Sequence, residues 1–225
     1  MIQTLQAKEI SLAQLSTHFG LERSDVSSFF PEWQQNLPEL TNGEIQALEE
    51  VKQDYLHLEK YPLLEPVVKM VVLSPLLRLA GFYRPPFYLS AEKEVQLESY
   101  DDALLVRGRI DVLVFTPQFW VLVVEAKKAE FSLDAALPQA LFYMLGQQEQ
   151  TKARYGFVTN GSEFQFLKLE ALPPEATEGT ITPPPTSSSL SWQYGRSYPL
   201  SIYRGDDLQQ VLRGLKQLGQ QAASM

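Results

Sequence analysis

The sequence predicts an α/β fold in which helices flank a central sheet. An apolar segment, Leu63 to Ala80, has the length and spacing of a buried helix, and Gly81 is a natural helix stop. Apolar runs rich in β-branched residues follow, and a second helical segment at 133–148 interrupts them. Asn160-Gly161 lies between two of the later runs and is a strong hairpin signal. Helices that alternate with strands along one chain are typical of an α/β domain.

The individual elements can be placed in order along the chain. Short helices are expected within Ile10 to Trp33, followed by a charged helix at Glu44 to Tyr61 and then the apolar helix. Pro85-Pro86 breaks the chain after that helix, because proline does not continue helical hydrogen bonding. Five strands are expected around the helix Leu133 to Gln148, at Phe87 to Leu97, Leu104 to Phe115, Phe119 to Ala126, Tyr155 to Thr159 and Glu163 to Leu169.

The chain is expected to divide into four parts. Residues 1–60 form a helical N-terminal extension, and residues 61–172 form the core. Residues 173–190 are rich in Pro, Ser and Thr, a composition typical of a loop or linker. In residues 191–225 a strand precedes leucines at helical spacing, which predicts an amphipathic helix that packs on the core.

The composition excludes several classes of site. The 225 residues contain no cysteine, which excludes disulfides and thiolate zinc sites and is typical of the reducing cytoplasm. Only His18 and His57 are present, so a histidine-based nuclease site has few candidate residues. The sequence shows neither a signal segment nor an apolar run of membrane-spanning length. We therefore expect a cytoplasmic protein without a membrane partner.

The charge distribution bears on nucleic-acid binding. The net charge of −8 argues against a protein that grips nucleic acid by bulk electrostatics. Residues 1–60 hold 4 basic and 10 acidic side chains, a net charge of −6, so the acidity is mainly N-terminal. An acidic site that binds a divalent metal remains compatible with a phosphate substrate, but the affinity of the isolated chain for DNA is expected to be modest.

Three ionisable residues stand in a segment that should be buried sheet: Asp111, Glu125 and Lys127. Glu125 and Lys127 share a face, because successive side chains of a strand point to opposite faces. A turn near residues 116–118 would fold the preceding strand back and bring Asp111 to the same place. A carboxylate in a dry sheet is costly unless it is paired or bound to a cation. Unless these are ordinary charges at a frayed strand end, two carboxylates beside a lysine suit a magnesium-activated water that attacks phosphate.

This pattern resembles the core hairpin of the PD-(D/E)xK nuclease superfamily. Asp111 precedes Glu125-Ala126-Lys127 by 13 intervening residues, and the motifs GRID and EAKK are similar to the nuclease domain at the start of type I restriction enzyme R subunits. The family's proline before the first Asp is replaced here by Ile110. The resemblance covers roughly residues 63–169. It implies a restriction endonuclease-like mixed sheet flanked by helices, with the nuclease core at 61–172.

The resemblance also implies roles for the hairpin residues. Asp111, Glu125 and the Ala126 carbonyl would hold Mg²⁺, for which Mn²⁺ would substitute. Lys127 would orient or help to deprotonate the attacking water and would offset phosphate charge. A decayed site that keeps the fold is the alternative.

A second motif lies on the following helix. The segment from Gln139 to Tyr143 is similar to the Q-x-x-x-Y motif of the RecB-like branch, and the two residues share a helix face because they are four apart. In that branch the glutamine supports the metal site or touches the phosphate backbone. The same spacing also suits an ordinary amphipathic helix with a core tyrosine.

Further residues could complete the site. An acidic residue on the first core helix often joins the metal shell in this superfamily, and Glu65 is the first candidate, ahead of Glu94 on a polar edge strand. Glu65 equally suits the first helical turn, where a carboxylate stabilises the helix dipole. Arg107 and Arg109 share a strand face with Asp111 by period-two counting. They would hold a phosphate or only neutralise the carboxylates.

The segment from Leu15 to Phe30 resembles a helix-turn-helix, with Gly20 at the turn. Its second helix would offer only Arg23 as a cation, where DNA readers need several, so a docking role is the preferred interpretation.

Together these observations predict a magnesium-dependent DNA endonuclease of a restriction or defence system. DNA is the expected partner, with a second copy of the chain or other subunits of such a system. An inactive nuclease-fold module and a helix-turn-helix regulator are the alternatives.

Overall fold

The fold is a mixed central sheet flanked by helices, as predicted. The structure, a computed structural model, describes residues 3–99, 104–117, 120–147, 153–172 and 191–224. Nine strands within these ranges form one sheet, whose main path runs β1-β4-β5-β6-β7-β8-β2, while β3 pairs with β4 and β9 with β7. The strands are β1 (Gln3–Gln6), β2 (Leu21–Arg23), β3 (Tyr88–Glu98), β4 (Leu104–Phe115), β5 (Trp120–Ala126), β6 (Arg154–Thr159), β7 (Glu163–Ala171), β8 (Trp192–Arg196) and β9 (Leu200–Ser201).

Helices cover both faces of this sheet. They are α1 (Leu12–Phe19), α2 (Asn42–Leu58), α3 (Glu65–Val68), a π-helical turn (Lys69–Leu73), α4 (Ser74–Leu79), α5 (Leu137–Leu145) and α6 (Asp207–Ala223). Short 3₁₀ turns lie at Ala7–Glu9 and Leu133–Ala135. No helix in the described part of the chain is long and apolar enough to cross a membrane.

Residues 65–79 form one continuous helix, which we call the first core helix. It occupies most of the predicted segment Leu63 to Ala80, and its middle turn at Lys69–Leu73 is π-helical. A π turn widens the helix by one residue and is frequent at functional sites. Because it shifts the side chains that follow, the turn changes which residues of this helix meet the sheet.

Apolar side chains fill one core on each face. Leu76, Val124 and Leu212 belong to the core between the sheet and the helices α2, α4 and α6. Leu15 and Val123 belong to the other core, against α1 and α5. The neighbours Val123 and Val124 on β5 thus enter opposite cores, as the period of two requires.

Strand β4 organises the region around the predicted site. The strand β3 pairs antiparallel with β4 from Leu105 to Phe115 and occupies one edge of it. On the other edge, β1 pairs with residues 104–107 and β5 with residues 112–115. Residues 108–111, the β4 gap, therefore lie between β1 and β5, and Asp111 is the last of them.

The N-terminal 60 residues contain helices, as expected, and also contribute two strands that the sequence did not predict. Strand β1 pairs parallel with β4, and β2 pairs parallel with β8. Helices α1 and α2 begin at N-caps whose side chains accept backbone N–H groups, Ser11 from Gln14 and Thr41 from Glu44. The extension is thus built into the sheet.

The helix-turn-helix hypothesis is wrong. Gly20 ends α1 in the left-handed conformation, with φ of 62°, which suits a turn. The next residues form strand β2, and the structure shows no second helix between that strand and Phe30. Leu21 and Phe30 are only 3% and 5% exposed and so are unavailable for docking, whereas Val26 is 60% exposed, and the docking role of the segment stays a prediction.

Several expectations fall on residues outside the described ranges. These are Gln118 in the first hairpin turn, the end of the predicted helix at Gln148, and the Pro/Ser/Thr-rich segment at 173–190. Beyond that segment, α6 buries the leucine series that the pattern singled out, Leu208, Val211, Leu212, Leu215 and Leu218.

Candidate active site

Asp111 links the end of the β4 gap to two other elements. Its Oδ2 accepts a hydrogen bond from the backbone N–H of Ala126 at 2.8 Å. This bond lies just beyond the pair Val112 and Val124, where the pairing of β4 with β5 ends. The carboxylate therefore holds the end of β5 where the backbone ladder stops. Its Oδ1 accepts a hydrogen bond from Lys69 Nζ at 2.7 Å. The side chain is 11% exposed, so part of it can be reached from solvent.

Glu125 is the most deeply buried acid of the site, with 1% of its surface exposed. Its Oε1 accepts a hydrogen bond from Lys127 Nζ at 2.6 Å, while its Oε2 is buried without a hydrogen-bond partner in the described part of the chain. Burial, reinforced by the negative charge of Asp111 and only partly offset by Lys127, raises the pKa of Glu125 from 4.5 to about 8. The nearby positive charge is thus too small to stabilise the ionised form of Glu125 in this buried place.

A chain of hydrogen bonds runs from Glu125 across to helix α5. Lys127 Nζ donates to Gln139 Oε1 at 2.8 Å as well as to Glu125, and Gln139 Nε2 donates to the Tyr143 hydroxyl at 3.0 Å. The structure thus brings together the predicted residues from the β5 end and from the Q-x-x-x-Y motif. The Lys127 ammonium is bonded to Glu125 at the end of β5 on one side and to Gln139 of α5 on the other, so it has a fixed position.

Tyr143 closes this chain against the β4 gap. Its side chain is buried, and burial raises its pKa, which hydrogen bonds with Gln139 and the Arg109 backbone only partly counter. Gly108 makes this contact possible. A Cβ at Gly108 would lie 2.6 Å from the Tyr143 hydroxyl oxygen and 2.5 Å from Ala7 Cβ. The glycine stands within the GRID motif, but its role could not be read from the sequence.

Lys69 is a member of the site that was not predicted from the sequence. Its ammonium lies 2.7 Å from Asp111 Oδ1 and 2.7 Å from Glu65 Oε1, four residues earlier in the same helix. Burial alone would lower the pKa of Lys69, but hydrogen bonds to Asp111 and Glu65 outweigh burial and raise it. A signal was available in the sequence, since Glu65 and Lys69 have the i, i+4 spacing of a helical ion pair. The contact with Asp111 required the fold.

Of the other predicted residues, Glu65 contacts this cluster, whereas Glu94, Arg107 and Arg109 lie at the surface. Glu65 reaches the site, but through Lys69. Arg109 pairs with Glu94 at 3.2 Å, and both side chains are mostly exposed, at 62% and 77%. Glu94 therefore does not join the carboxylates. Arg107 is exposed and lines a surface groove with Arg109 and Glu94.

The donor set fits a divalent cation if backbone and solvent oxygens contribute. No three His, Cys, Asp or Glu side chains in the described ranges come close enough to hold a metal by themselves. Asp111, Glu125 and the Ala126 carbonyl are oxygen donors, which Mg²⁺ prefers, and Mg²⁺ commonly takes only one or two carboxylates and keeps several waters. The buried Glu125 Oε2, without a hydrogen-bond partner in the described structure, is the observation that favours such a cation.

Comparisons with known proteins add little to this geometry. The sequence matches no protein-family model and no curated protein. A solved fragment of a protein assigned as an HsdR subunit of a type I restriction enzyme from Vibrio vulnificus YJ016 is similar to 47% of this chain, with 25% sequence identity and a TM-score of 0.36. The match spans 21% of that fragment's length. A TM-score this low carries no structural argument, so no residue role is drawn from it.

Proposed function

We propose that this protein is a magnesium-dependent DNA endonuclease of the restriction endonuclease-like class. One observation carries the proposal: Asp111 and a buried, cation-deficient Glu125 meet beside a lysine that two other side chains hold in place. A purely structural site would not need two neighbouring carboxylates, because each raises the cost of ionising the other. The resemblance of GRID and EAKK to the nuclease domain of type I restriction subunits supports the same reaction.

The residues of the site divide the work of phosphodiester hydrolysis. Asp111, Glu125 and the Ala126 carbonyl would hold Mg²⁺, which supplies charge stabilisation at the phosphoryl oxygen and a lower pKa for bound water. Lys127 has three N–H donors, and two of them are directed to Glu125 and Gln139. The third can donate to a non-bridging phosphate oxygen. In the reaction the water oxygen bonds to phosphorus and loses a proton to solvent, the bond from phosphorus to the 3′ oxygen breaks, and that oxygen takes a proton from solvent and leaves as a hydroxyl.

Gln139 and Tyr143 act on Lys127 and not on the phosphate. The amide of Gln139 accepts from the ammonium and donates to the tyrosine hydroxyl, so rotation of the amide would break two hydrogen bonds at once. This arrangement restricts the ammonium to one position, and catalysis by charge stabilisation depends on such fixed positions.

The net charge of −8 implies that DNA binding needs help from elsewhere. Phosphate contacts supply most non-specific affinity, and this chain has few cations to spare. We infer a second copy of the chain or another subunit of a restriction system as a partner.

A catalytically inactive member of this fold is the second candidate, and Lys69 favours it. Its ammonium already neutralises Asp111 and Glu65, in the region where a metal would supply positive charge. Such a protein would bind DNA or partner subunits without hydrolysis.

Metal binding and plasmid nicking separate the two candidates. Calorimetry should show Mg²⁺ or Mn²⁺ binding to the wild type, and thermal unfolding should move to higher temperature, because the ion binds only the folded site. The Asp111→Asn protein keeps an oxygen for the Ala126 N–H but loses the charge, so it should neither bind metal nor nick plasmid. No wild-type binding at millimolar metal would refute the nuclease proposal, and metal binding without nicking would favour the inactive module.

A further inference from the structure

An open apolar groove lies beside the candidate active site. It has a volume of about 460 Å³ and runs between the first core helix and strand β3. That volume is within the range of pockets that hold small organic groups, about 300–1,000 Å³. The residues that line it are Lys69, Met70, Leu73, Ser74, Leu77, Tyr83, Leu89, Ser90, Ala91 and Val112.

The groove exposes large apolar side chains. Met70 is 73% exposed, Tyr83 is 48% exposed and Leu89 is 36% exposed. Exposed apolar residues that gather in one place mark binding surfaces more often than scattered ones do. The Tyr83 hydroxyl forms a hydrogen bond with Ser74 Oγ at 2.9 Å, which restricts the ring to one position on the groove wall.

Two residues make the groove continuous with the active site. Lys69 lines the groove and also contacts Asp111, while Val112 lines it and follows Asp111 on β4. A nucleic-acid strand with a phosphate at the carboxylates therefore has the adjacent nucleotide at the groove entrance.

The groove is uncharged along most of its length, as a nucleobase is, and its charged end lies beside the proposed phosphate site. Among the described residues that line it, Lys69 is the only charged one, and it stands at the end next to the candidate metal site. Every other lining side chain is uncharged, and Tyr83 and Met70 offer an aromatic ring and a polarisable sulfur. Lys69 is already paired with Asp111 and Glu65, so the candidate metal site beside it would hold the anionic phosphate, while a flat, neutral base lies along the apolar wall.

We propose that this groove binds an unpaired nucleobase adjacent to the phosphate that is hydrolysed. The inference rests on the proposed nuclease function and names its substrate class, DNA that is single-stranded or locally unpaired at the cleavage position. A base within a duplex has both faces stacked and its edge paired, so it can enter the groove only when it is extruded or already unpaired. Stacking on an aromatic side chain tolerates every base, because every base has a π face.

The binding test omits divalent metal, so that cleavage does not enter it. A single-stranded oligodeoxynucleotide that contains 2-aminopurine, and the duplex of the same sequence, are titrated into the full-length protein in EDTA at low salt. Stacking in the groove should quench the fluorescence of the single strand and leave that of the duplex nearly unchanged. Tyr83→Ala should weaken single-strand binding by about 5- to 150-fold, the range that base stacking gives.

Two further variants sharpen the test. Tyr61→Ala is the matched control, because Tyr61 is 78% exposed and lies outside the groove, and it should bind like the wild type. Ala91→Leu narrows the groove without removal of an existing contact and without a new aromatic ring, and it should weaken binding as Tyr83→Ala does. Wild-type affinity in both groove variants, equal quenching by duplex, or no binding of the single strand by the wild type at low salt overturns the proposal.

Cleavage with Mg²⁺ is measured separately on the same oligonucleotides. If the wild type cleaves and the groove variants bind and cleave normally, the groove inference fails and the nuclease proposal stands. If no protein cleaves but Tyr83→Ala loses binding, the nuclease proposal fails and the groove remains a base-binding site. If Met70→Glu changes the oligomeric state and leaves DNA binding unchanged, the groove contacts protein and the base-binding inference is overturned.

Discussion

The Lys69 ammonium lies 2.7 Å from a carboxylate oxygen of Asp111, 42 residues further along the chain. The same ammonium pairs with Glu65, so one helix supplies both a cation and an acid to the end of the β4 gap. Lys69 therefore neutralises the carboxylates of Asp111 and Glu65, and it would compete with a metal ion for Asp111.

Removal of this ammonium should strengthen metal binding. In Lys69→Met the apolar stem is retained, but Asp111 loses the cation that neutralises it, and we expect Mg²⁺ affinity to rise about tenfold. Calorimetry against the wild type measures the change, and Lys60→Met, at an exposed position, is the control. Unchanged or weaker binding would mean that Lys69 does not compete with the metal.

Lys127 and its neighbour Lys128 should differ in their effect on activity. The Lys127 ammonium is fixed by Glu125 and Gln139, whereas Lys128 is exposed. Plasmid nicking should fall by about 100-fold or more in Lys127→Ala, the usual scale for a positioned proton-transfer or charge-stabilising group, and stay near wild type in Lys128→Ala. Equal activity of the two variants would contradict the role given to Lys127.

Gly108 should tolerate no side chain. In Gly108→Ala the new Cβ would meet the Tyr143 hydroxyl at 2.6 Å and Ala7 at 2.5 Å, so either the α5 face or the 3₁₀ turn at Ala7–Glu9 must move. We expect a loss of roughly 1–3 kcal/mol in unfolding free energy, as for other overpacked sites, together with reduced nicking. Chemical denaturation measures the first effect.

Gly43 provides the matched control for that substitution. A Cβ at Gly43 meets nothing within 4 Å, and the residue lies in α2. Because alanine is the better helix former, Gly43→Ala should leave stability unchanged or raise it slightly. If Gly108→Ala behaves in the same way, the close approach of Tyr143 does not constrain the site.

The buried Glu125 should make the metal-free protein less stable as pH rises. Its pKa is about 8 in the folded chain and near 4.5 when exposed, so between these values the unfolded chain ionises while the folded one stays protonated. The raised pKa of Glu125 therefore lowers the free energy of unfolding progressively from pH 4.5 to 8. Thermal unfolding in EDTA should show the wild type losing stability relative to Glu125→Gln across that window.

Glu44 provides a control of opposite sign. Burial raises its pKa, but hydrogen bonds from Lys216 and Thr41 outweigh burial and lower it. Its contribution to stability is present above the unfolded pKa and is lost as pH falls through the folded pKa. Glu44→Gln should therefore be less stable than wild type near neutral pH and approach it in acid. A Glu125→Gln difference that follows the same direction would rule out a raised pKa at Glu125.

The sequence by itself determined the parts of the site that depend on local geometry. Glu125 and Lys127 share a face because a strand has a period of two, and Gln139 and Tyr143 share one because a helix brings residues four apart together. The antiparallel pairing of β4 with β5 also followed from two apolar runs with a turn expected between them.

Only the tertiary structure decided the contacts between distant segments. The pattern of Leu21–Arg23 suits the start of a second helix, yet pairing with β8, about 170 residues later, makes it a strand. Lys69 looks like a surface lysine in sequence, and Gly108 like an ordinary strand glycine. Each acquires its role from a partner on another element, Asp111 for one and Tyr143 for the other. Periodicity reports which residues share a face, whereas the burial of apolar surface across the whole chain decides which faces meet.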